Sequence, residues 1–172
     1  MIVEMRTRPF VKEDISACTS LFIDVFNREP WNDRWTGQLA SEYFEDVVNT
    51  PGFEGFVMEA ESDSGSDSNS GSNSDMATDN QSEKPAIVGF VIGTRKKWWS
   101  GDIYYLYEMC MDESYQGEGI GSKLMEDAKS TLVSKGFSSI VLLTERTFPA
   151  AHFYQKHGFI ESPETRFYFC SL

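Results

Sequence analysis

The sequence predicts a mixed α/β fold, a single sheet with strands in both orientations and helices packed against it. Three observations carry this expectation. Some segments repeat apolar residues every three or four positions, whereas others alternate or run as short unbroken apolar stretches. Two apolar strands, Ala86–Thr94 and Asp102–Met111, are joined by only RKKWWSG, and so short a connection requires an antiparallel pair. A helical stretch separates Asp102–Met111 from the next apolar run, SIVLLT, which is the pattern of a right-handed parallel crossover.

The elements follow in order. Residues 2–8 (IVEMRTR) alternate in part and suit a strand, which Pro9 ends. Ile15, Cys18, Thr19, Phe22 and Phe26 then mark a helix that Pro30 stops. FNREPWNDRW lacks a period and reads as a loop. Leu39, Tyr43, Phe44, Val47 and Val48 share one side of a helix over 37–49, closed by Pro51-Gly52. Phe53–Ala60 is a strand. Gly119–Lys135 is a helix with Ile120, Leu124, Ala128 and Leu132 four residues apart and Gly136 as its stop. Ser139–Thr144 is a short buried strand. Phe148–His157 is a helix with Pro149 at its start and Gly158 after its end. Phe159–Glu161 and Arg166–Ser171 complete the chain as two further strands.

The 172 residues fit one domain, 1–172, interrupted by the Ser/Asp/Asn-rich stretch 61–84. That stretch has no aromatic and no β-branched aliphatic residue, so it cannot offset its ordering entropy by burial and is expected to be a disordered insert. Its Asp spacing does not match the EF-hand calcium loop, since no Glu follows at the offset of the bidentate ligand.

The net charge of −12 comes from 27 acids and 15 bases. It argues against nucleic acid and against an anionic membrane as partners, since both call for excess Lys and Arg. The charge is unevenly spread. Residues 1–60 hold 11 acids and 5 bases, 61–84 hold 6 and 1, and 85–172 hold 10 and 9. Cys18, Cys110 and Cys170 are widely spaced, and neither His152 nor His157 joins a Cys cluster, so neither a disulfide framework nor a metal site is expected. With no apolar run of signal-peptide or membrane-spanning length, the expected location is the cytoplasm.

The strongest chemical signal is Gln116-Gly117-Glu118-Gly119-Ile120-Gly121, set between a strand and a helix. Closely spaced glycines let the backbone approach a ligand, and the helix start adds partial positive charge. Together they suit an anion, most naturally a pyrophosphate. Neither the nucleotide P-loop pattern nor the dinucleotide fingerprint fits these residues. Gln116, Gly119 and Gly121 do satisfy Q/R-x-x-G-x-G/A.

In that motif the sequence resembles the GNAT superfamily of N-acetyltransferases. YEMCMDESYQGEGIGSKLM is similar to the family's fourth strand, glycine loop and third helix, SIVLLT to its fifth strand, and FYQKHGF to its FYxKxGF element. The likeness covers residues 86–160 well, whereas 1–60 agree in element order with weaker motifs. EPWN and TPGFEGFV resemble small-molecule acetyltransferases of the superfamily, including aminoglycoside-acetylating relatives. The resemblance implies a mostly antiparallel sheet of six to seven strands with about four helices, in which a parallel pair splays at the cofactor site.

It also implies roles. Acetyl-coenzyme A is the cosubstrate and no metal is needed. Met109, Cys110 and Met111 would run beside the pantetheine arm, with one amide polarising the thioester carbonyl. Gln116, Gly117, Glu118, Gly119, Ile120, Gly121 and Ser122 would hold the pyrophosphate, and Lys156 would reach the nucleotide end. Glu108 is the candidate base for the acceptor ammonium, whose pKa is about 10, or else a structural carboxylate. A strand bulge would decide which face Glu108 takes. Tyr154 matches the family position that protonates the departing thiolate, and its alternative is plain core packing. Cys110 has no His in its motif and is not expected to be a nucleophile.

The acceptor is expected to be a small cationic amine, aminoglycoside-like or polyamine-like. Glu29, Asp33, Glu42, Glu45, Asp46, Glu54 and Glu59 would give a carboxylate-rich wall. Trp31 and Trp35, with Glu54, are the candidate acceptor contacts, the indoles acting as cation–π faces. Two other functions stay open: acetylation of a protein lysine or chain terminus, and non-catalytic binding of acyl-coenzyme A. A homodimer is compatible with the resemblance.

Overall fold

The computed structural model describes residues 4–61 and 85–172. The predicted insert therefore lies almost wholly outside the described residues. The chain forms two units, Met1–Val141 and Leu142–Leu172.

The first unit is a five-stranded sheet in the order β1-β2-β3-β4-β5. Its strands are β1 (Glu4–Pro9), β2 (Phe53–Glu61), β3 (Ala86–Lys96), β4 (Ile103–Met111) and β5 (Ser139–Val141). Neighbours are antiparallel except β4 and β5, which pair in parallel from Ile103↔Ser139 to Tyr105↔Val141. The short 97–102 connection and the helical crossover thus gave the two orientations expected of them. Ala60 pairs with Ala86, so residues 62–84 connect adjacent antiparallel strands.

Helices α1 (Ile15–Phe26), α2 (Gly37–Val48) and α3 (Ile120–Ser134) belong to this unit. The α2 start is capped by Thr36, whose hydroxyl accepts from the Leu39 amide at 3.2 Å. Cys18, Leu21, Phe22 and Val25 of α1 and Ala40, Phe44 and Val47 of α2 pack on Val57, Phe90, Ile92 and Cys110 of the sheet. The other face meets α3 and the residues after it. There the Tyr104 ring stacks edge-on against Phe137, Arg95 lies over the same ring, and Thr7 donates to Asp127.

β4 changes face midway. Ile92 pairs with Glu108 and Gly93 with Leu106, which leaves Tyr107 as an extra residue, a β-bulge. Gly93 permits it, since a Cβ there would sit 2.4 Å from the Tyr105 carbonyl oxygen. Before the bulge, Tyr104 and Leu106 share the α3 face with Gly93. After it, Glu108 and Cys110 lie opposite Ile92 and Phe90 on the α1–α2 face.

The sheet has fewer strands than predicted. Phe159–Glu161 and Arg166–Ser171 form no ladder, and Ile160, Phe167, Tyr168 and Phe169 are exposed. Apolar alternation marks a segment able to form a strand, but a strand also needs a partner edge. The expected strand 139–144 likewise shortens to Ser139–Val141.

In the second unit, α4 spans Pro149–Lys156, with Pro149 in its first turn. The Phe159 amide donates to the Tyr154 carbonyl at 3.0 Å and Gly158 has φ 83°, a left-handed stop.

Candidate active site

Glu108 is brought to the α1–α2 face by the bulge and meets Tyr43 from α2. The Tyr43 hydroxyl donates to Glu108 Oε1 at 2.8 Å. Oε2 has no hydrogen-bond partner among the described residues and is not sealed from solvent. One oxygen is therefore held and the other is open. Burial drives the Glu108 pKa from 4.5 to about 7, the Tyr43 bond opposes the rise, and the Asp33 carboxylate adds to it. A half-buried carboxylate poised near neutrality can give or take a proton at physiological pH.

The surrounding aromatics come from α1, α2 and the connection between them. Trp35 lies 5.0 Å from the Phe22 ring and 5.3 Å from that of Tyr43, and Trp31 lies 5.1 Å from Phe26. Asn27 fixes the loop by exchanging two hydrogen bonds with the Trp35 backbone, at 2.8 and 2.9 Å. The indole N–H of Trp35 donates to Asp33 Oδ2 at 3.1 Å. Trp31 and Trp35 thus sit in one aromatic cluster, both half-buried.

Glu54 does not join them. It lies on the α3 face, opposite Gly93, and is ion-paired with Lys135. Counting acids along the chain could not see this, because alternate strand residues face opposite ways. Glu59 is similarly committed, to Arg8, whose guanidinium also grips the fully buried Asp14 with two bonds of 2.6 and 2.9 Å. Of the acids counted toward a wall, Asp33 acts on Glu108.

Met109, Cys110 and Met111 end β4, beyond the last parallel pair with β5 at Tyr105. Cys110 is buried and its thiol is pushed well above the usual range, chiefly by burial, which disfavours the thiolate. After β4, Asp112 caps a short turn through the Ser114 amide at 2.8 Å, and the Gln116 side chain donates to the Met111 carbonyl at 2.9 Å. Gln116 thereby ties the glycine loop to the end of the strand.

Gly117 and Gly119 have φ 79° and 84°, a left-handed region that only glycine enters cheaply. Gly119 is the residue before α3, and a Cβ at either position would meet nothing within 4 Å. The first amide to find a carbonyl within α3 is that of Lys123, which bonds Gly119 O at 3.0 Å. Ile120, Gly121 and Ser122 precede it in the first turn of α3, where a helix directs its N–H groups outward along the axis. Bare backbone, unobstructed space and a helix start fit an anionic group such as a pyrophosphate. Glu118 lies between the two glycines and is exposed.

In the second unit, Tyr154 is half-buried, its ring 5.6 Å from Phe153 and 5.3 Å from Phe159. Lys156, in the last turn of α4, is exposed.

Two contributors escaped the sequence reading. Tyr43 was visible only as part of an apolar helix side, and Asn27 carried no motif. The signal for Tyr43 was a hydroxyl on a helix face otherwise meant for the core, since buried Tyr hydroxyls need partners. Among the described residues, no group of three or more His, Cys, Asp or Glu could hold a metal, and no helix is long and apolar enough to cross a membrane.

Residues 77–161 match the family model of the acetyltransferase (GNAT) domain. The fold is similar to that of an acetyltransferase from Trypanosoma brucei, at TM-score 0.63 and 17% identity, covering 98% of this chain and 100% of that one. It is also similar to the aminoglycoside acetyltransferase meta-AAC0020 from an uncultured soil metagenomic sample, solved with sisomicin, at TM-score 0.65 and 18% identity over 98% of this chain and 97% of that one. The aminoglycoside N-acetyltransferase AAC(6')-Iy, solved with CoA, matches at TM-score 0.64 and 14% identity, covering 100% of this chain and 98% of that one.

Proposed function

The chain belongs, through residues 77–161, to the GNAT acetyltransferases, and from that premise we propose that it acetylates a primary amine of a small cationic acceptor. The observation that carries this reading is Glu108, a carboxylate with one open oxygen and a pKa of about 7, bonded to Tyr43 of the aromatic cluster and within electrostatic reach of Asp33.

Acetyl-coenzyme A, the cosubstrate of this family, supplies the acetyl group as a thioester. The amides from Gly117 to Ser122 would hold its pyrophosphate, and the main chain of Met109–Met111 would flank the arm. Glu108 Oε2 takes a proton from the acceptor ammonium, which exposes the nitrogen lone pair for attack. Transfer forms a C–N bond and breaks a C–S bond; the acylated nitrogen sheds its second proton, which balances the one that the departing thiolate must be given. Tyr154 is assigned that donation on the strength of its motif, FYQKHGF. Trp31 and Trp35 offer π faces, and Asp33 a negative charge, to a cationic acceptor.

The aromatic loop between α1 and α2 favours a small molecule over a peptide, as does the likeness to structures of aminoglycoside acetyltransferases. The test is release of free thiol from acetyl-coenzyme A with diamines, polyamines, aminoglycosides and lysine peptides. Turnover with the polycations and not with the peptides is expected. Turnover with peptides alone would replace the acceptor assignment, and tight binding without thiol release from any amine would replace catalysis itself.

A further inference from the structure

Resting on the assignment of Glu108 as base, we propose that Tyr43 is its positioning residue: the hydroxyl pins Oε1 and reserves Oε2, as carboxylate, for the proton of the acceptor amine. Packing alone does not call for a hydroxyl at position 43. The ring is held by Phe22 at 5.9 Å, Trp35 at 5.3 Å and Phe44 at 6.0 Å, and a phenylalanine would keep all three contacts. What the oxygen adds is a 2.8 Å bond to a group 65 positions along the chain.

The bond joins a helix to a strand bulge. α2 is anchored by Ala40 and Phe44, both fully buried, so the Tyr43 hydroxyl is delivered from a fixed backbone. The bulge at Tyr107 turns Glu108 toward it. With the ring clamped and the strand fixed, the carboxylate is held at one oxygen and open at the other.

The electrostatic surroundings give this bond its weight. Tyr43 faces Glu108 from α2, Asp33 acts from the α1–α2 connection, Tyr105, Tyr107 and Cys110 stand on β4, and Cys18 comes from α1. None of these is a cation. Burial and Asp33 both favour the protonated acid, and the Tyr43 hydroxyl is the group that favours the carboxylate. A hydrogen bond to an ionised group shifts such an equilibrium by about one to two pH units.

The experiment is a 13C NMR titration of the Glu108 side-chain carboxyl in the full chain, with no ligand, in wild type and Tyr43→Phe. The wild-type midpoint is expected near 7, and that of Tyr43→Phe about one to two units higher. An equal or lower midpoint overturns the inference. Should Tyr43→Phe fail to fold, the wild type alone decides. The Tyr43 ring Cζ resonance must titrate with the Glu108 midpoint, and a flat Cζ resonance overturns the bond.

Kinetics separate positioning from mere structure. With an amine that gives thiol release, Tyr43→Phe should be roughly 5- to 50-fold slower in kcat/KM at pH 7 and recover at pH 9, where the carboxylate re-forms. A loss that pH does not rescue overturns positioning. Thiol release retained by Glu108→Gln would overturn the base assignment, whereas an unmoved titration in Tyr43→Phe overturns this inference alone.

Discussion

Replacing Glu108 by glutamine should remove catalysis and yet stabilise the protein in alkaline solution. Glutamine copies the shape of the protonated acid and can still accept from Tyr43, so packing is kept. The folded-state pKa of Glu108 is raised from 4.5 to about 7. A raised acid gives its full contribution below the unfolded pKa and loses it as pH climbs through the folded one, because the native state must then ionise a half-buried group. The gap of about 2.5 units corresponds to about 3 kcal/mol, fully expressed near pH 8.5 and nearly absent near pH 4.5. For a chain of this size that is a Tm difference of about 6–12 °C. Thermal unfolding of wild type and Glu108→Gln at the two pH values measures it. Equal differences at both pH values, or a variant less stable at pH 8.5, would refute the reasoning that burial holds this carboxylate near neutrality.

Other consequences can be tested separately. Gly119→Val places a β-branched side chain at φ 84° and into open space before α3, and calorimetry should show coenzyme A binding lost or weakened more than tenfold. Undiminished binding would remove the loop from the cofactor site. Tyr154→Phe should slow thiol release while leaving coenzyme A affinity within about twofold, and unchanged turnover would strike Tyr154 from the mechanism. Arg8→Met leaves Asp14 and Glu59 buried without their cation and should cost about 3–5 kcal/mol in urea unfolding, whereas a loss under 1 kcal/mol would show that water reaches the pair.

What the sequence made legible was local. The glycine loop could be read because its signal lies in adjacent residues, and Gly117 and Gly119 do adopt the left-handed angles that glycine enters cheaply. Helix α2 could be read to within a residue from apolar spacing, and the apolar positions Ile15 to Phe26 span α1, although its expected stop at Pro30 lies beyond its end. Contacts between distant segments could not. Glu54 and Trp35 looked like neighbours in an acidic half, but strand alternation sent Glu54 to the face that holds Lys135. The pairing of Tyr43 with Glu108 depends on a bulge that a glycine on the adjoining strand makes room for, which alternation within β4 alone does not reveal. The predicted strands after Gly158 failed for a related reason, since alternation within a segment says nothing about an edge to pair with.

The bulge at Tyr107 acts as a frameshift in the strand's two-letter alphabet of inward and outward. Upstream of it, Tyr104 and Leu106 answer to α3, and downstream, Glu108 and Cys110 answer to α1 and α2. A single strand is thus divided into two independently tunable halves. Substitutions in the first bear on how α3 is carried, while substitutions in the second bear on Glu108 and its packing under α1 and α2. Were β4 to run without the bulge, with Tyr107 kept in regular alternation, Glu108 would fall on the side of Tyr104 and Leu106, the wrong side of the sheet.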